Sequence, residues 1–168
     1  MNLTFCWFLI LLSLMIAAPT LAQEPVGCDK FKWSIDRERA LLANPSQITS
    51  AGELSQPLAT PVMVTLVPIA DARLPLAPSR APKSSGTFAG FVRLSAIPKA
   101  GIYRITLSHG AWIDAIQDGR ELKSVAASGV TGCDGIAKSV KFDLAAAPLL
   151  VELSGTTASA VAIVVTAD

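Results

Sequence analysis

The sequence predicts an all-β protein: an antiparallel β-sandwich of about eight strands with one short N-terminal helix. Two observations carry that prediction. Short runs of alternating or wholly apolar residues recur from Val62 to Thr166 at roughly 8–12-residue spacing, with Gly, Pro, Asn and Asp between them. Asp118-Gly119 stands between two such runs. A two-residue Asp-Gly connection is a strong hairpin signal, because both positions tolerate positive φ.

Taken in chain order, residues 1–22 come first and read as a signal peptide. Met1 to Ala22 holds no charged residue, and an apolar run from Leu3 to Ile16 leads to Pro19 and the small-x-small end Thr20-Leu21-Ala22. Cleavage is expected after Ala22. A basic residue at the start is missing, and the competing reading is an uncleaved membrane anchor. Residues 23–45 form an N-terminal segment with a helix over about 34–43. Ser34 is its expected cap, Asp36 and Glu38 sit in its positive first turn, and Asn44-Pro45 stops it. Ile35 and Leu42 form its apolar side, Glu38 and Arg39 its polar side. Phe31, Trp33 and Ile35 are expected to pack on the rest.

Residues 46–168 are assigned to the sandwich. Residues 46–61 read as a Ser/Thr/Ala/Gly/Pro-rich connection. Val62 to Val67 reads as a central strand that Pro68 ends. Residues 70–86 read as a long exposed loop carrying Pro75, Pro78 and Pro82 with Arg73, Arg80 and Lys83. Strands follow at Thr87–Leu94, Gly101–Ser108, Ala111–Gln117, Arg120–Ala126, Ser139–Leu144, Leu149–Ser154 and Val161–Thr166. In the second of these, Tyr103, Ile105 and Leu107 take one face, and Arg104 and Thr106 the other.

Charge and cysteine bound the function. The chain has 14 basic and 13 acidic residues and no like-charge run. That balance gives no electrostatic case for nucleic acid or for an anionic membrane surface. Cys6 falls in the leader. Cys28 and Cys133 remain, and in an oxidising compartment they have one possible pairing. Acylation of Cys28 is the alternative, but Glu24-Pro25-Val26-Gly27 is a poor lipobox.

Candidate chemistry is sparse. His109 is the single histidine. It cannot supply a two-His iron site, and zinc is starved of ligands if the cysteines pair. A triad drawn through Ser108, His109 and Asp114 is disfavoured, because neighbouring residues on a strand end point apart. No catalytic residue, metal or cofactor is therefore assigned. Trp112, Asp114 and Asp118 are expected on one strand face, as a sugar-binding platform or as a half-buried edge Trp. Arg80 and Lys83 are candidate contacts for an acidic partner, or simply solvated loop residues. Asp29 and Asp134, brought together by a disulfide, read either as a Ca²⁺ site or as solvated loop acids.

Several words carry a resemblance: Cys28-Asp29-Lys30-Phe31-x-Trp33, Arg80-Ala81-Pro82-Lys83-Ser84, Ala111-Trp112-Ile113-Asp114 with Gln117-Asp118-Gly119, and Lys138-Ser139-Val140-Lys141-Phe142. Over nearly the whole mature chain they resemble a family of short exported proteobacterial proteins often labelled homogentisate 1,2-dioxygenase. The resemblance to that label implies an iron held by two His and a Glu, a set that this chain lacks, so no catalytic residue is carried over. Gly101-x-Tyr103-x-Ile105-x-Leu107 with Phe142-Asp143-Leu144 more weakly resembles β-sandwich domains attached to secreted peptidases. The expected function is a non-catalytic periplasmic or secreted binding or accessory protein. Its expected partner is a protein or a glycan, without membrane insertion once the leader is removed. A dioxygenase and a structural envelope protein are the alternatives.

Overall fold

The computed structural model describes residues 24–54 and 59–168. The signal-peptide reading of residues 1–22 lies outside the described residues, as do residues 55–58 of the connection. After a 3₁₀ turn at Cys28–Lys30 and helix α1 (Asp36–Leu42) come twelve strands among the described residues. They are β1 (Ser46–Thr49), β2 (Gly52–Leu54), β3 (Val62–Thr65), β4 (Val67–Pro68), β5 (Phe88–Leu94), β6 (Gly101–Leu107), β7 (Trp112–Gln117), β8 (Arg120–Glu121), β9 (Ser124–Gly129), β10 (Lys138–Leu144), β11 (Leu149–Thr156) and β12 (Ala160–Ala167).

They form two packed sheets, so the protein is an all-β sandwich. The first sheet runs β1-β3-β12-β6-β10-β9; the second runs β2-β5-β11-β7-β8, with β4 also paired to β5. Inward residues of both sheets make one core. Tyr103, Ile105 and Phe142 from the first face Val92, Ile113 and Leu153 from the second. Each large side chain so buried contributes about 1.5–3 kcal/mol.

The strand count exceeds the expected eight because the chain changes sheets mid-run. The run Val62–Val67 divides at Leu66, giving β3 to the first sheet and β4 to the second. The run Arg120–Ala126 divides likewise. β8 completes the Asp-Gly hairpin with β7, while β9 pairs with β10 across the sandwich. Hydrophobic pattern reports burial, not which sheet is joined, so such corners are invisible to it. Residues 46–54, read as a connection, instead place β1 on one sheet and β2 on the other. Both pairings are parallel, β1 with β3 and β2 with β5, which corrects the purely antiparallel expectation. The hairpin itself is as expected: Asp118 (φ 50°) and Gly119 (φ 72°) are both left-handed.

Residues 28–42 cover the outer face of the first sheet. Phe31 and Trp33 pack there as expected, in a second cluster that includes Ile35, Leu42, Ile136, Ala162 and Val164. Thr106, assigned to the polar face, is therefore fully buried. Its hydroxyl bonds Ser139 Oγ at 3.0 Å, and Trp33 Nε1 donates to the same Ser139 oxygen at 3.2 Å. The helix is shorter than predicted, and its N-cap is Ile35, with no side-chain cap. Ser34 lies one residue too early: its hydroxyl donates to the Asp36 carboxylate at 3.0 Å and accepts only a long bond, 3.5 Å, from the Asp36 N–H. Glu38 also departs from its expected polar side. It is 1 % exposed, accepts from Thr166 Oγ1 at 2.7 Å, and lies 3.7 Å from the Arg104 guanidinium. Its Oε1 is thus satisfied, while its Oε2 has no hydrogen-bond partner among the described residues, and the Arg104 charge offsets the cost of its burial.

Candidate binding cleft

The Pro-rich segment is not a free loop. From Asp71 to Ser79, exposed and half-buried residues alternate, as in an extended strap laid across the second sheet. Ala72, Leu74, Leu76 and Pro78 are its half-buried side. The sheet face beneath holds two acids in cross-strand register, Asp114 on β7 and Glu152 on β11. Both are buried, and both fasten the strap. Leu76 N–H donates to Glu152 Oε1 at 2.9 Å. Ser79 gives Asp114 two bonds, from its N–H at 3.2 Å and its hydroxyl at 2.5 Å. The Trp112 indole N–H is shared between Ser79 Oγ (2.7 Å) and Asp114 Oδ1 (2.8 Å).

This anchoring carries Arg80 and Lys83 to Trp112. The Arg80 guanidinium lies 5.0 Å from the indole centroid and the Lys138 ammonium 4.9 Å from it, both within cation–π range. A cleft of about 670 Å³ opens here, where the strap, the start of β7 and the β9-to-β10 connection meet. Arg80, Lys83, Trp112, Lys138 and Glu24 line it. Among the described residues, none of the three cations is in a salt bridge. Lys138 donates to Ala111 O at 2.7 Å. Burial pushes its amine below the usual lysine range; the Arg80 charge adds to this, while Glu24 and Asp114 oppose it.

The structure thus joins the expected Trp112 and Asp114 pair to the expected Arg80 and Lys83 pair. Asp118 is separate: it is an exposed turn residue, at the opposite end of β7 from Trp112. Strand alternation fails for it because the hairpin turn begins there. Nor is Trp112 an open stacking platform, since its N–H is bonded and two cations lie over its ring. Lys138, Ser79 and Glu24 were missed. Ser79 adjoins Arg80 in sequence, but nothing local marks Lys138, which reaches the cleft only through its register opposite Leu107 and Gly129.

Ser108 and His109 do bond, contrary to expectation: Ser108 Oγ and His109 Nδ1 are 2.9 Å apart. The pair sits where β6 has already ended, so strand alternation no longer separates the two side chains. The same oxygen accepts from Ala162 N–H at 2.9 Å, while Asp114 is committed to the strap, so no triad forms. Cys28 and Cys133 are joined by a disulfide, as the sequence predicts. Asp29 turns to Lys30 at 2.7 Å rather than toward Asp134.

Glu152 yields a pH prediction. Burial, first of all, raises its carboxyl above the ordinary value, and Asp114 and Glu121 add to this against the Leu76 hydrogen bond. Among the described residues its Oε2 has no hydrogen-bond partner. A carboxyl raised in the fold binds its proton more tightly there than in the unfolded chain. Stability therefore falls as pH rises from the unfolded value of 4.5 through the folded one, and the penalty is complete above it. Glu152→Gln is expected to melt higher than wild type at neutral pH and to flatten this dependence, as thermal denaturation across pH 4–8 would show.

Compared with family models, with curated proteins and with solved structures, the chain finds no match. What the fold and the site define is a class: a β-sandwich with a strap-bounded, cation-lined cleft. The residues do not fit the iron that the dioxygenase resemblance implies. The sequence has one histidine, and no three His, Cys, Asp or Glu side chains cluster among the described residues. Nor, among them, is any helix long and apolar enough to cross a membrane.

Proposed function

We propose that the protein is a non-catalytic binding module, exported to the periplasm or secreted, whose anionic ligand seats in the cleft beside Trp112. One observation carries this reading: Arg80 of the strap and Lys138 of β10 lie over one indole, Lys83 lines the same cleft, and none of the three is in a salt bridge among the described residues. A lysine held partly desolvated without a salt-bridge partner gains most when a ligand brings a close opposite charge. The Cys28–Cys133 bond, the charge-free apolar leader and the likeness to short exported proteobacterial proteins support the location.

Titration of tryptophan fluorescence with anionic oligosaccharides and acidic peptides tests the proposal. Binding is expected to weaken as salt rises and to fall about tenfold or more in Lys138→Gln or Arg80→Gln, provided circular dichroism shows the fold intact. Equal response in wild type and both variants, or none to any anion, would remove the cleft as the site. Concentration-dependent self-association without anion binding would favour the structural envelope reading instead.

A further inference from the structure

One wall of the cleft is a strand edge. β9 ends the first sheet, with β10 on one side and, among the described residues, no strand on the other. The chain itself shows that this outer edge accepts a partner. Just beyond β9, Thr131 N–H donates to Pro25 O at 2.9 Å, and Gly27 N–H donates to Thr131 O at 2.8 Å, a parallel bridge at Val26. Val130 N–H points the other way, to Ala137 O. Backbone direction alternates along a strand, so Ala127 and Gly129 share the outward orientation of Thr131.

Exposed edges are ordinarily guarded by a charge, a proline or a covering loop. From Ser124 to Gly129 there is no charged residue and no proline. Val125 is 57 % exposed and Val26, at the bridge to Thr131, is 68 % exposed, so apolar side chains stand open to solvent along this edge. Ala127 and Gly129 line the same cleft as Arg80, Lys83 and Lys138. Unpaired backbone donors and acceptors therefore lie beside unpaired positive charge.

We infer that the ligand is an extended acidic peptide segment, which adds to the free edge of β9 and presents carboxylates to Arg80, Lys83 and Lys138. The inference rests on the reading of the cleft as an anion site. Backbone pairing supplies affinity that tolerates varied side chains, and alternate side chains of the added strand face the cations.

The test measures anisotropy of a labelled peptide of about eight residues alternating Val and Glu. It is run beside the same peptide N-methylated at alternate residues and an oligouronate of equal charge. The peptide is expected to bind, and N-methylation to weaken it about tenfold or more. Ala127→Pro is expected to weaken it similarly, because it removes an outward N–H that the β10 ladder does not use. Should Ala127→Pro fail to fold, the N-methylated peptide still decides. Equal binding of the oligouronate and both peptides would overturn strand addition while leaving the anion site standing. No binding by any of the three would overturn both.

Discussion

Removing the Cys28–Cys133 bond, by reduction or by Cys28→Ser with Cys133→Ser, is expected to lower the unfolding free energy by about 2–4 kcal/mol. The two residues are 105 apart in sequence. The chain-entropy account gives about 4.7 kcal/mol for a closed loop of about 100 residues, and measured bonds usually deliver less. The native side of the balance is held by other contacts. Ile35 and Leu42 pack on Ala162 and Val164, Trp33 bonds Ser139, and Glu38 bonds Thr166. The reduced protein is therefore expected to fold, and to melt roughly 4–16 °C lower. Calorimetry with and without reductant checks this. An unchanged melting temperature would mean that the bond constrains little in the unfolded chain.

Asp114→Ala is expected to cost about 2–4 kcal/mol, since hydrogen bonds to a charged group contribute about 1.5–3 kcal/mol each and do not add fully. Three donations are lost at once, two from Ser79 and one from Trp112. The Trp112 N–H keeps Ser79 Oγ as an acceptor only while the strap stays in place. Release of the strap frees the backbone at Arg73, Arg80 and Lys83, whose side chains are already exposed, so trypsin is expected to cut this variant there long before it cuts wild type. Asp114→Asn keeps an acceptor without the charge and should lose less. A second signature separates this effect from general weakening. Asp114 helps to hold the Glu152 carboxyl high, so in the alanine variant Glu152 should titrate closer to its ordinary range. Denaturant titration, timed proteolysis and carboxyl NMR read the three effects. Wild-type proteolysis in Asp114→Ala would show that the strap is held by something else.

The long strands and the Asp-Gly hairpin were legible in the sequence because period-two alternation and left-handed turn chemistry are local signals. The corners at Leu66 and between β8 and β9 were not, because a strand that changes sheets keeps the same apolar pattern. Polar residues misled where a second layer buries them. Thr106, Glu38 and Asp114 each look solvent-facing by type and are buried because the N-terminal segment or the strap lies on top. The site was half legible. Trp112, Asp114, Arg80 and Lys83 stood out by residue type, yet they were two separate candidates until the strap joined them. Lys138 arrives from the opposite sheet, and only the strand register brings it there.

The place of β12 bears on the order in which the molecule can be assembled. It is the last of the described strands in chain order, yet it lies between β3 and β6 in the middle of the first sheet. Helix α1, among the first described residues to be made, waits for Thr166 before Glu38 has its partner. Until β12 has been made, β3 and β6 lack the strand that joins them in the sheet. Closure of the first sheet thus waits for β12, a strongly non-local order that favours slow folding and a need for protection in the interval.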